Sequence, residues 1–154
     1  MPKIEASVEI RRPYAEVFAF VMTPANAPRY DPAVLRYEPL DGAPIHLGTR
    51  LRITARFVLG IPSTIISEVT EWQATGDTRR AIFMTLTGPL RVQGVHTFTS
   101  VPDGTRYTWT MEWDSRPGPL GGALDVLMRR VWSWKMQVPL DNLKRLLESP
   151  DHPV

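Results

Sequence analysis

Histidine is the side chain whose ordinary pKa lies near neutrality, and this 154-residue chain has three, His46, His96 and His152. Their spacing matches neither His-x-Glu nor His-x3-His, and there is no cysteine, so neither a metal site nor a disulfide is expected. The sequence also lacks a Gly-x-Ser-x-Gly elbow and a phosphate-cradling glycine loop, which removes the usual signatures of nucleophilic and phosphoryl chemistry. What remains is proton transfer, or the orienting of a bound molecule. His96, in "VQGVHTFTSV", shares a strand face with Val92, Gly94 and Phe98. Two roles are open to it. It is either a core histidine bonded to a neighbour, or a pocket group that orients a ligand or acts as acid or base. His46 flanks a turn and His152 lies in the tail, so both read as surface residues.

The carboxylates offer less. Glu68 and Glu71 in "SEVTEW" fall on opposite strand faces by simple alternation, so at most one could point inward. Asp31, beside Tyr30, reads as a turn cap at the rim of the fold. No acid–base pair emerges from spacing alone.

A second feature is the stripe in "RYTWTMEW". Tyr107, Trp109, Met111 and Trp113 occupy every second position, with Arg106, Thr108, Thr110 and Glu112 between them. That is a strand with one dry face. The stripe is either plain core or the wall of a cavity. Tyrosine and tryptophan carry polar ends that need a partner when buried, and a cavity supplies one as water or ligand.

Composition narrows the setting. Hydrophobic residues make up 43% and charged residues 22%, ordinary for a soluble domain. Eighteen basic and sixteen acidic residues leave a net charge of +2, too mild to expect a nucleic-acid partner. Arg50, Arg52 and Arg56 read as the solvated face of one strand. "MPKIEASVEI" is not the start of a signal peptide, and runs such as "FVLGIPSTII" are too short and broken to span a bilayer. A cytoplasmic protein without integral membrane association is expected.

The elements that must position these residues follow from periodicity. Ile4, Ala6, Val8 and Ile10 alternate in a first strand, and "PYAEVFAFVM" carries a helical pattern that starts at Pro13. Turn signals at Asp41-Gly42, Gly48, Gly60, Gly76-Asp77, Gly88-Pro89 and Pro102-Asp103-Gly104 separate about six further strands between residues 34 and 113. One of these, "TRLRITARF", places Leu51, Ile53, Ala55 and Phe57 on one face. A long helix over about residues 121–148 closes a single domain, 1–148, leaving 149–154 as a tail. The class is α+β: a seven-stranded antiparallel sheet wrapped around a long C-terminal helix, with short helices after the first strand. Leu51, Ile53, Phe57, Phe98, Trp109 and Trp113 should face inward. A cylinder cannot fill a wide concave sheet, so this architecture predicts a cavity between them. The loop "SRPGPLGG" is expected to gate it, and Pro139 to distort the last helix. That helix carries two apolar stripes, Leu124–Leu127–Val131–Trp134 and Leu140–Leu143–Leu147 with Trp132 and Met136. Either its buried face rotates at Pro139, or one stripe is a partner surface.

The order of elements, together with "IRRPYAEVFAFVMTPANAPRYDP", "GTRLRI", "VTEW", "TFTSVPDGTRYTWTMEW" and "LDNLKRLLE", resembles the START-related SRPBCC superfamily, and within it the polyketide cyclase/dehydrase-like branch. The likeness covers residues 2–148. It implies a helix-grip fold with a hydrophobic cavity between the sheet and the last helix, and it does not imply a single reaction. The leading expectation is binding of a hydrophobic or aromatic small molecule, such as a lipid, polyketide or related metabolite. Phe57, His96, Phe98, Tyr107, Trp109, Met111, Trp113 and Val131 are the candidate ligand-binding residues. The alternative is a cyclase- or dehydrase-type enzyme in which His96 or Tyr107 exchanges protons. A third reading is an interaction protein that forms a homodimer through the last helix. No cofactor is expected.

Overall fold

The computed structural model describes residues 2–88 and 90–149. The chain runs β1 (Lys3–Ile10), α1 (Tyr14–Val21), a 3-10 turn (Pro24–Asn26), α2 (Ala27–Tyr30), β2 (Val34–Pro39), β3 (Arg50–Val58), β4 (Ile61–Thr75), β5 (Thr78–Thr85), β6 (Val92–Val101), β7 (Gly104–Trp113) and α3 (Pro119–Glu148). All seven strands form one antiparallel sheet in the order β1-β7-β6-β5-β4-β3-β2. Strands β2 to β7 are a meander, and β1 closes against the last strand. Short hairpins dictate that order. Leu59 and Gly60 both adopt positive φ, 54° and 70°, the backbone that a two-residue turn between twisted strands demands.

Strand β1 meets β7 at a close approach. A Cβ on Gly104 would lie 2.1 Å from the carbonyl oxygen of Ile10. Only glycine fits there.

Helix α3 anchors to the sheet through its second half. Met136, Leu140, Leu143 and Leu147 are buried beside Ile4, Ile10, Val17 and Phe18, and each such side chain contributes about 2 kcal/mol. Glu148 fastens the end of the helix, accepting from the Arg11 amide at 2.9 Å and from Lys144 Nζ at 2.9 Å. The distortion expected at Pro139 leaves no break, since α3 is one helix of 30 residues. Pro139 and Leu140 are themselves buried, so packing holds the turn whose hydrogen bond the proline removes. The stripe of Leu127, Val131 and Trp134 lies outside, with Trp134 72% exposed. Met136 faces the core and Trp132 is half-buried. The tail, including His152, lies outside the described residues.

Candidate functional site

Under the sheet, against the middle of α3, lies a cavity of about 180 Å³. Six strands contribute to the wall: Tyr37 from β2, Ile53 and Phe57 from β3, Ile65 and Ser67 from β4, Phe83 from β5, Gly94 and His96 from β6, and Tyr107, Trp109 and Met111 from β7. Tyr30 and Asp31 enter from the end of α2, and Trp132, Pro139 and Leu140 close it from α3. Carbon dominates the wall.

Two residues carry the polar chemistry. Nδ1 of His96 lies 2.8 Å from Oη of Tyr107. Around this pair the rings form a stack. His96 lies nearly parallel to Tyr107 and Trp109, with centroids 6.0 and 5.7 Å away, and Phe83 meets it edge-on at 5.2 Å. Burial pushes the His96 pKa down to about 4, so the imidazole is neutral at pH 7. Burial likewise pushes the Tyr107 phenol well up, helped by Tyr30, Tyr37 and Asp31 nearby. Tyr30 and Tyr37 are raised for the same first reason. Burial also raises the Asp31 carboxyl, against the hydrogen bond it accepts from the Ala33 amide at 3.0 Å. The cavity therefore holds three neutral phenols and a neutral imidazole at physiological pH.

Of the candidate residues, the structure brings Phe57, His96, Tyr107, Trp109 and Met111 into this wall. Three lie elsewhere. Phe98 points inward but is covered by Phe18, 5.2 Å away ring to ring, and by Tyr107 at 4.7 Å. Trp113 is sealed in the core, donating Nε1–H to Asp125 Oδ1 at 2.9 Å. Val131 faces outward on α3, and its neighbour Trp132 takes the inward place against Phe57. Alternation identifies the inner face of a strand, but not which part of that face a helix covers.

Glu68 and Glu71 do not lie on opposite faces. A bulge between Val69 and Glu71 shifts the register, and both carboxylates sit on the outer face, with Arg50 at 3.7 Å and Arg80 at 2.7 Å. The loop "SRPGPLGG" contributes nothing to the cavity wall. Ser115 Oγ donates to Asp125 at 2.6 Å, and a Cβ on Gly121 would collide with the Arg116 carbonyl oxygen, so the loop is folded onto the first turns of α3. His46 is exposed and contacts Thr49 Oγ1 at 2.8 Å.

Wall residues that the sequence does not single out include Tyr30, Tyr37, Ser67 and Phe83. Tyr37 is masked by a bulge between Val34 and Arg36, which breaks the alternation with Leu35. Ser67 is the inward neighbour of Glu68 on β4, and Phe83 sits on β5, whose residues were not singled out. Tyr30 reaches the cavity only through the fold of the α1–β2 connection. Among the described residues, no helix is long and apolar enough to cross a membrane.

A family model described as polyketide cyclase/dehydrase and lipid transport matches residues 1–148. No curated protein matches the chain. Among solved structures, a protein of Thermus thermophilus superposes with a TM-score of 0.72 at 20% identity, over 94% of this chain and 95% of that one. The di-domain ARO/CYC protein StfQ of the steffimycin biosynthetic pathway gives 0.73 at 17% identity, covering 96% of this chain and 50% of its own. A STAR-related lipid transfer protein from Xanthomonas axonopodis gives 0.70 at 14% identity, over 94% and 85%. These likenesses establish the helix-grip fold, the architecture expected from the sequence.

Proposed function

Because the chain belongs to the polyketide cyclase/dehydrase and lipid transport family, we propose that it encloses an apolar small molecule in the cavity between sheet and helix. The observation that carries this reading is the cavity wall itself. It is built from aromatic and aliphatic side chains, and its few polar tips can orient a guest. Each square ångström of apolar surface removed from water contributes about 25 cal/mol. Phe57, Trp109, Met111 and Trp132 would supply most of the affinity. Native mass spectrometry of the gently purified protein, with thermal unfolding in the presence of naphthalene, tests it. A co-purifying small mass, or a rise in Tm with naphthalene, is the expected result. The absence of both would defeat the reading.

One observation favours a second reading, an enzyme of the cyclase or dehydrase kind. His96 and Tyr107 form a hydrogen-bonded pair inside the cavity, and such a pair can relay a proton. Proton transfer works best with groups tuned near the operating pH. Here burial drives the imidazole down and the phenol up, both away from neutrality. That tuning supports a binding role over catalysis. If His96→Ala abolished turnover of a substrate while binding persisted, the enzyme reading would replace the first.

A further inference from the structure

Gly94 leaves a bare patch of β6 in the cavity floor. The position a Cβ would take there is 3.7 Å from Nε1 of Trp109 and 3.9 Å from Nε2 of His96. Two ring nitrogens from adjacent strands thus border this patch, because His96 pairs with Trp109 and Gly94 with Met111 in the β6–β7 register. Indole Nε1–H is a donor only, and among the described residues it has no protein acceptor. The imidazole tautomer follows from its other nitrogen. The buried Tyr107 hydroxyl needs an acceptor for its proton, and among the described residues its only partner is Nδ1 of His96. Nδ1 therefore accepts, and the proton sits on Nε2 by assignment from this network. The bare patch at Gly94 is thus bordered by two N–H donors, with the Phe83 carbonyl oxygen 4.0 Å from the same point.

We propose that this spot is a carbonyl-oxygen site, and that the cavity takes a compact, uncharged ring ketone whose C=O accepts from Trp109 Nε1–H and His96 Nε2–H over Gly94. The inference rests on the reading that the cavity holds a small molecule, and names its chemistry. Charge supports the uncharged class. No lysine or arginine appears among the described residues of the wall, and Asp31 does. A carboxylate ligand would be buried beside an acid without a counter-cation, which is costly. Size supports the compact class, since about 180 Å³ compares with the roughly 150 Å³ that holds a benzene molecule in an engineered apolar cavity.

The experiment uses 1-tetralone, its carbonyl-free counterpart tetralin, and 1-naphthoate, titrated calorimetrically into the full chain. The wild-type protein should bind tetralone about tenfold more tightly than tetralin, the effect of two modest hydrogen bonds. Bound tetralone should show a lowered C=O stretch in the infrared. Gly94→Ala puts a methyl group beneath the oxygen, in ordinary contact with both ring nitrogens, and Trp109→Phe removes one donor while keeping a ring. In both variants the tetralone-to-tetralin ratio should fall toward one and the stretch should return toward its free value. Equal affinity for tetralone and tetralin, or an unshifted stretch, overturns the carbonyl site and leaves the apolar cavity standing. Naphthoate bound as tightly as tetralone overturns the uncharged class. Failure of all three probes to bind overturns this inference together with the binding function it rests on.

Discussion

His96 and Tyr107 meet at 2.8 Å although they are not cross-strand partners: His96 pairs with Trp109, and Tyr107 with Phe98. The contact is diagonal across the β6–β7 ladder, within reach of aromatic side chains. It ties the polar end of the stripe to the titratable residue of the neighbouring strand, inside the cavity wall.

Acid should destabilise the protein through His96. Its folded-state pKa is about 4 against an ordinary value of 6.5. Between those values the unfolded chain binds a proton that the folded one refuses, so stability falls as the pH drops through that window. The drop amounts to about 3 kcal/mol. Urea unfolding of the wild type and of His96→Gln at pH 7 and pH 4 measures it. The variant should lose less stability on acidification, and an equal loss in both would contradict this assignment.

Glu148 should act in the same direction at lower pH. Burial works against its ionisation, yet the Arg11 amide and the Lys144 ammonium outweigh that and hold its carboxyl below the usual range. A depressed carboxylate contributes stability above its unfolded pKa and loses it as the pH falls through the folded value. Glu148→Gln should lower Tm at pH 7, and the gap to wild type should close as carboxylates protonate. A gap independent of pH would show that only packing was lost.

Phe98 and Trp109 lie on one strand face or its direct extension across the ladder, but they should respond differently to truncation. Phe98→Ala opens a hole in the sealed core and should cost about 3–5 kcal/mol. Trp109→Ala enlarges an existing cavity, so its larger effect should be on affinity for a hydrophobic probe. Chemical denaturation and probe titration on both variants separate the two. Unchanged affinity in a folded Trp109→Ala protein would make the stripe mere core.

Gly104→Ala should be among the most destabilising small substitutions. Gly104 has φ 155° and its Cβ would collide with the Ile10 carbonyl. Prising β1 from β7 to relieve that clash should cost about 2 kcal/mol or more. A melting temperature within a degree or two of wild type would refute the steric argument.

Several of these features are legible in the chain itself. Period-2 alternation over residues 4–10, 50–57 and 107–113 marks strands, and its faces predict which side chains point inward. Dipeptide turns order the meander, and the apolar stripe Leu140–Leu143–Leu147 marks the buried half of α3. The opposite stripe through Leu127 and Trp134 has the same periodicity yet stays outside. Period alone does not say which stripe a sheet covers.

Local pattern thus determined the strands, their order and the candidates His96 and Tyr107, because these depend on neighbours along the chain. Tertiary structure decided which inward residues became core and which became wall. Phe98 is capped by Phe18 from α1, while Trp109 is left facing empty space. It also decided that two bulges would turn Tyr37 inward and both Glu68 and Glu71 outward. One extra residue in a strand reverses every face that follows it, and whether it is inserted depends on the partner strand. The approach of His96 and Trp109 to the patch at Gly94 has the same origin. It exists only once β6 and β7 are in register.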